Sequence, residues 1–136
     1  YRSAIILTHP RTRKDAMNPL IKFLLSFIYA MAGWRSAVRT QRNFRIHLLV
    51  TVMVVVAGYH FSISRTEWCF VLLCIGLVLS AELFNSSIET MIDLIHPERH
   101  PLAGRVKDMA AGAVLITAIM AVIIGLIIFL PYLLTT

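Results

Sequence analysis

The sequence predicts an all-α integral membrane protein: an N-terminal amphipathic helix on the membrane surface followed by three transmembrane helices. Two observations lead there. The chain is 58% hydrophobic and only 15% charged, with a mean hydropathy of +0.77, and its apolar residues fall in long runs suited to crossing a bilayer. The cations are also segregated: nine of the thirteen Lys and Arg precede Ile46, and three more lie between Arg99 and Lys107. That is the distribution of cytoplasmic segments flanking spans, and it excludes a nucleic-acid groove as the use of the net charge of +6.

Residues 1–18 read as a basic cytoplasmic arm, and 19–136 as one membrane domain. Ala4 to Leu7 is too short an apolar core for a secretory signal. Asn18-Pro19 can open a helix, with Asn as N-cap and Pro in the first position. Over Leu20 to Val38, the residues Leu24, Phe27, Ile28, Met31 and Trp34 share one face. Lys22, Arg35 and Arg39 charge its ends, which fits a helix lying in the cytoplasmic interface. The alternative, a genuine first span, is limited to the short apolar run Phe23 to Ala32.

The first span is expected from Ile46 to Phe61, and a short turn follows in which Ser64 or Thr66 caps the next helix with Glu67 in its first turn. The second span runs from Glu67 to Ile95, roughly 43 Å of helix, so its last turns emerge at the headgroups. Two prolines, Pro97 and Pro101, break it. The third span is expected from Met109 to Leu130, rich in Ala and Gly for close packing and ended by Pro131. Cys69 and Cys74 face apart on the second span and are not expected to pair. Counting Lys and Arg puts the N-terminus and the second loop inside and the C-terminus outside.

The second span carries the chemistry. With Glu82 as zero and about 100° per residue, Asn85 falls near −60°, Glu89 near −20° and Asp93 near +20°. The four share one stripe at the cytoplasmic end of the span, where Lys107 and Asp108 of the third span arrive as well. Ionisable groups at membrane depth mark a site by default. Carboxylates so arranged can hold a hard divalent cation or act as a base, and Lys107 can offset phosphate charge, which together suits phosphoryl transfer. No Walker or protein-kinase glycine loop occurs, so a nucleotide site would be unconventional. An ion pathway is the rival use, disfavoured because the charge sits at one end only.

The run from Glu82 to Asp93 resembles the signature Glu-x-x-Asn-(Ser/Thr)-Ala-Ile-Glu-x-x-x-Asp of the prokaryotic diacylglycerol kinase family, with Ser87 in place of the Ala. The stretches Arg42 to His47, His100 to Ala103 and Lys107 to Leu115 resemble its undecaprenol kinase branch, and the resemblance covers about residues 20–131. It implies a homotrimer with active sites shared between subunits, in a bacterial-type inner (plasma) membrane with the N-terminus cytoplasmic. ATP with Mg²⁺ would donate its γ-phosphate to the hydroxyl of undecaprenol or a related lipid. By motif, Glu82 would be the general base and Glu89 a metal ligand. Asn85 would sit near the transferring phosphate, and Asp93, Lys107 and Asp108 would hold the nucleotide. Where the family commonly has a metal-binding Glu, this chain has Gln41, a neutral oxygen ligand. Diacylglycerol is the second substrate choice. The reading of a different class is a catalytically weak homologue serving as a non-enzymatic subunit of a membrane complex.

Overall fold

The computed structural model describes residues 18–98 and 100–135, so nearly all of the basic arm lies outside the described residues. The described chain is all helix and turn: α1 (Pro19–Thr40), α2 (Arg42–His60), α3 (Arg65–Ile95) and α4 (Pro101–Thr135). Among the described residues, α2, α3 and α4 are the three helices long and apolar enough to cross a membrane.

Residues 18–35 belong to one unit and 36–135 to another. In the first, α1 opens as expected. The Asn18 side-chain oxygen accepts from the Leu20 N–H at 2.9 Å, and Pro19 occupies the first position, where a missing N–H costs nothing. Phe23 and Phe27, one turn apart, meet edge to face with ring centres 5.1 Å apart.

In the second unit, α3 packs against both α2 and α4. Phe44, fully buried at 0% exposure, packs with Ala37 and Leu79, and Leu48, Ile75 and Leu83 close around them. This cluster fixes the start of α2 at the level of Leu79 to Leu83, the turn of α3 that carries Glu82. A second cluster, around Ile63, Val71 and Ile128, joins all three helices at the other end.

The α2–α3 connection is only four residues long, and every one has a local reason. Ser62 lies in the left-handed region (φ 51°). The Ser62 N–H donates to the Tyr59 carbonyl and the Ile63 N–H to the Gly58 carbonyl, each at 3.2 Å. Those two bonds are a Schellman motif, with Ser where Gly is usual. Ser64 then caps α3. Its hydroxyl accepts from the Glu67 N–H at 3.3 Å, and the Glu67 carboxylate accepts from the Ser64 N–H at 2.7 Å, a complete capping box. Of the two caps the sequence offers, Ser64 is the one used. The tight turn sets Trp68 over Gly58, where an added Cβ would sit 2.8 Å from the indole ring. We expect Gly58→Ala to destabilise the fold by about 1–3 kcal/mol, because the ring must shift in a packed site. A lower unfolding midpoint in detergent checks this, and an unchanged one refutes it.

Two sequence expectations about α4 need correction. The helix begins at Pro101 rather than Met109, and Pro131 lies inside it rather than ending it. Pro101 breaks α3 from α4 but also starts α4, since proline suits a first helical position. The His100 ring nitrogen Nδ1 accepts from the Leu102 N–H at 3.2 Å, and so caps the new helix. Pro131 removes one main-chain donor near the end of a 35-residue helix, and membrane helices accommodate this. Cys69 and Cys74 are both free thiols, as their spacing requires.

Candidate functional site

The acidic stripe is a gradient. Glu82 is 2% exposed and Asn85 5%, Glu89 is half-buried, and Asp93 is exposed. Helical spacing put these residues on one face, but burial depends on what covers that face. Glu82 lies in the turn of α3 that the Phe44 cluster packs against, and Asp93 lies beyond it at the exposed corner with α4. Glu82 makes no side-chain hydrogen bond among the described residues, although burying a carboxylate without a partner is costly. Such a group is retained where a ligand completes it.

Asn85 orients Glu89: its Nδ2 donates to Glu89 Oε1 at 3.3 Å. This engages the Asn85 donor within the helix and leaves its Oδ1 buried with no partner among the described residues. Asp93 and Lys107 form an ion pair across the α3–α4 corner. The corner is an open cavity of about 420 Å³ lined by Ile92, Asp93, His96, His100 and Lys107 among others. The His96 and His100 rings stack there with centres 5.5 Å apart. Asp108 is exposed and does not line the corner. Thus Glu82, Asn85 and Glu89 stand together, and Asp93 and Lys107 stand together about one turn further on.

Gln41 is half-buried between α1 and α2. It is the N-cap of α2 by position, with extended backbone (φ −99°, ψ 114°), but its side chain makes no cap hydrogen bond. Phe44, three residues later, packs at Leu79 and Leu83, so Gln41 stands about one turn closer to Glu89 along α3. No cluster of three or more His, Cys, Asp or Glu suited to a metal occurs among the described residues. That donor set still fits Mg²⁺, which is held by one or two carboxylates plus substrate phosphates and waters. Glu89 has one carboxylate oxygen outside its bond to Asn85, and Gln41 has an uncommitted amide.

Below the stripe, an apolar groove of about 500 Å³ runs between α2 and α4 with α3 as its floor. His47 and Val50 of α2, Cys74 and Val78 of α3, and Ala121 and Gly125 of α4 line it. The small α4 residues keep it open. Val78 is one turn before Glu82 on the same face, so the groove ends where the buried carboxylate begins. Ser86 escaped the sequence reading. It is 7% exposed, and its hydroxyl has no partner among the described residues. Its place four residues after Glu82 was the available signal.

The family described as prokaryotic diacylglycerol kinase matches residues 28–129. An undecaprenol kinase of Bacillus subtilis is 44% identical over 118 residues, covering 87% of this chain and 96% of the relative. A diacylglycerol kinase of Synechocystis sp. is 42% identical over 124 residues, covering 90% of this chain and 71% of the relative. The diacylglycerol kinase of Escherichia coli (strain K12) is 35% identical over 95 residues, covering 70% of this chain and 78% of the relative. With most of its length matched and its acidic stripe assembled at one end of a three-span bundle, this chain belongs to the prokaryotic diacylglycerol kinase family.

Proposed function

We propose that the chain is an ATP- and Mg²⁺-dependent lipid kinase that transfers the γ-phosphate to the hydroxyl of undecaprenol or a closely similar polyprenol. The observation that carries this is the partnerless Glu82 carboxylate, buried where the apolar groove ends. A lipid tail lying in the groove brings its terminal hydroxyl to Glu82. Glu82 takes the hydroxyl proton, the lipid oxygen forms its bond to the γ-phosphorus, and the bond to the β-phosphate bridging oxygen breaks, releasing ADP.

Glu89, oriented by Asn85, and Gln41 would hold the metal. When bound, Mg²⁺ neutralises charge on the nucleotide phosphates. Asp93 and Lys107 take the nucleotide at the α3–α4 corner, where Lys107 exchanges its carboxylate partner for phosphate, and Asp108 would hold the nucleotide from outside the corner. The protein works as a homotrimer with sites completed by neighbouring subunits. Its N-terminus is on the cytoplasmic side of a bacterial inner membrane, α1 lies on the membrane surface, residues 1–18 form a cytoplasmic arm, and 19–136 are the kinase domain. The polyprenol is preferred over diacylglycerol because the similarity to the undecaprenol kinase spans nearly all of that relative. Diacylglycerol remains the second substrate, supported by the relatives that carry that name.

Purified protein given γ-labelled ATP and Mg²⁺ should label undecaprenol faster than diacylglycerol. Gln41→Glu should lower the Mg²⁺ concentration needed for half-maximal rate, because it adds a negative ligand. If neither lipid is labelled by the native chain or by Gln41→Glu, the kinase reading fails. If only Gln41→Glu labels lipid, the native chain is the impaired homologue.

A further inference from the structure

Phosphoryl transfer needs hydrogen-bond donors aimed at the oxygens of the transferring group. On α3 those donors must lie between the base and the metal ligand. Glu82 and Glu89 are about 10 Å apart along the helix axis, and residues 85 and 86 fall in the gap, one on each flank of the line joining them. Asn85 has one of its two amide N–H groups on Glu89, which ties this side chain to orienting the metal ligand. Lys107 lies on α4, paired with Asp93 about two turns further along, where it serves the nucleotide rather than this turn of α3.

Ser86 stands on the other flank, and its hydroxyl behaves unlike its neighbours'. Thr51, Ser87 and Thr90 each donate to the carbonyl four residues earlier, and Thr117 to the one three earlier, all at 2.8 Å. That is the ordinary way for a helical hydroxyl in an apolar setting to satisfy itself. Ser86 is 7% exposed, more buried than any of these, yet its Oγ makes no hydrogen bond to its own backbone or to any described residue. Leaving a buried hydroxyl without a partner is costly, so its ligand is expected to come from outside this chain.

We propose that the Ser86 hydroxyl is the α3 hydrogen-bond donor to the transferring phosphoryl group, a catalytic residue between the base Glu82 and the metal ligand Glu89. The assignment rests on the kinase reading above. A phosphoryl group in flight between a lipid hydroxyl at Glu82 and a metal at Glu89 passes this turn of the helix. There it meets one buried O–H donor, the Ser86 hydroxyl.

The test compares Ser86→Ala and Ser86→Thr with the native chain, full length and reconstituted with undecaprenol. Ser86→Ala should lower kcat roughly 10- to 100-fold, the loss for one hydrogen bond to a charged transition state, with KM for ATP and lipid little changed. Ser86→Thr, which keeps the hydroxyl, should restore most of kcat. The unfolding midpoint, the oligomeric state and the thermal shift caused by a non-hydrolysable ATP analogue should be the same in all three. An alanine variant with native kcat overturns the proposal. So does one that loses assembly or unfolds earlier, since Ser86 would then be bonding a neighbouring subunit. A native chain that labels no lipid removes the kinase reading and this assignment with it, whereas native activity beside an unaffected alanine variant removes only Ser86.

Discussion

Glu82→Gln should reduce phosphate transfer by about 10²- to 10⁴-fold, the usual contribution of a positioned general base. The change keeps size and shape and removes only the ability to take the hydroxyl proton. Since Glu82 has no hydrogen-bond partner among the described residues, no internal contact is lost, and burying a neutral amide is easier than burying a carboxylate. The variant should therefore unfold at the native midpoint or above it. Label transfer to lipid and unfolding in the same detergent together check the prediction. Full activity would refute the base assignment, and early unfolding would show that Glu82 is structural.

Phe44→Ala should have the largest effect on stability. Deleting a fully buried Phe costs about 3–5 kcal/mol in soluble cores, from lost transfer energy and the cavity left behind. Between membrane helices the transfer part shrinks, because lipid is as apolar as the core, so we expect about 2–3 kcal/mol here. The loss should reach activity as well. Phe44 holds the start of α2 against Leu79 of α3, and Gln41 is one turn before it. A variant with a lower denaturation midpoint and a raised Mg²⁺ requirement is the expected result. Native values for both would mean that Phe44 does not set the position of Gln41.

Much of this was legible in the sequence, for identifiable reasons. The three spans announce themselves because apolar length has no local competitor. Asn18 and Ser64 were readable as caps because capping chemistry acts over two or three residues. The stripe from Glu82 to Asp93 was readable because helical period alone puts it on one face. Its burial gradient was not, since it depends on how α2 and α4 pack against α3 at each level. The start of α4 was missed because proline both stops one helix and starts the next, and sequence shows only the first role plainly. Ser62 in a glycine conformation gives no sequence signal at all. Ser86 was hidden in another way: a serine in a helix is ordinary, and only its failure to bond its own backbone marks it.

One oxygen at the other end of the bundle has mechanical weight. Glu67 Oε2 accepts both the Ser64 N–H at 2.7 Å and the Tyr132 hydroxyl at 3.0 Å, so a single atom fastens the α2–α3 turn to the end of α4. Phe61 stands beside that fastening, its ring 6.0 Å from that of Tyr132 and 6.2 Å from that of Phe129. At the acidic end α3 and α4 are joined a second time, by the short connection from Ile95 to Pro101 and by the Asp93–Lys107 pair. The two helices are thus tied at both ends, which fixes the register of the acidic stripe against α4 along about 42 Å of α3.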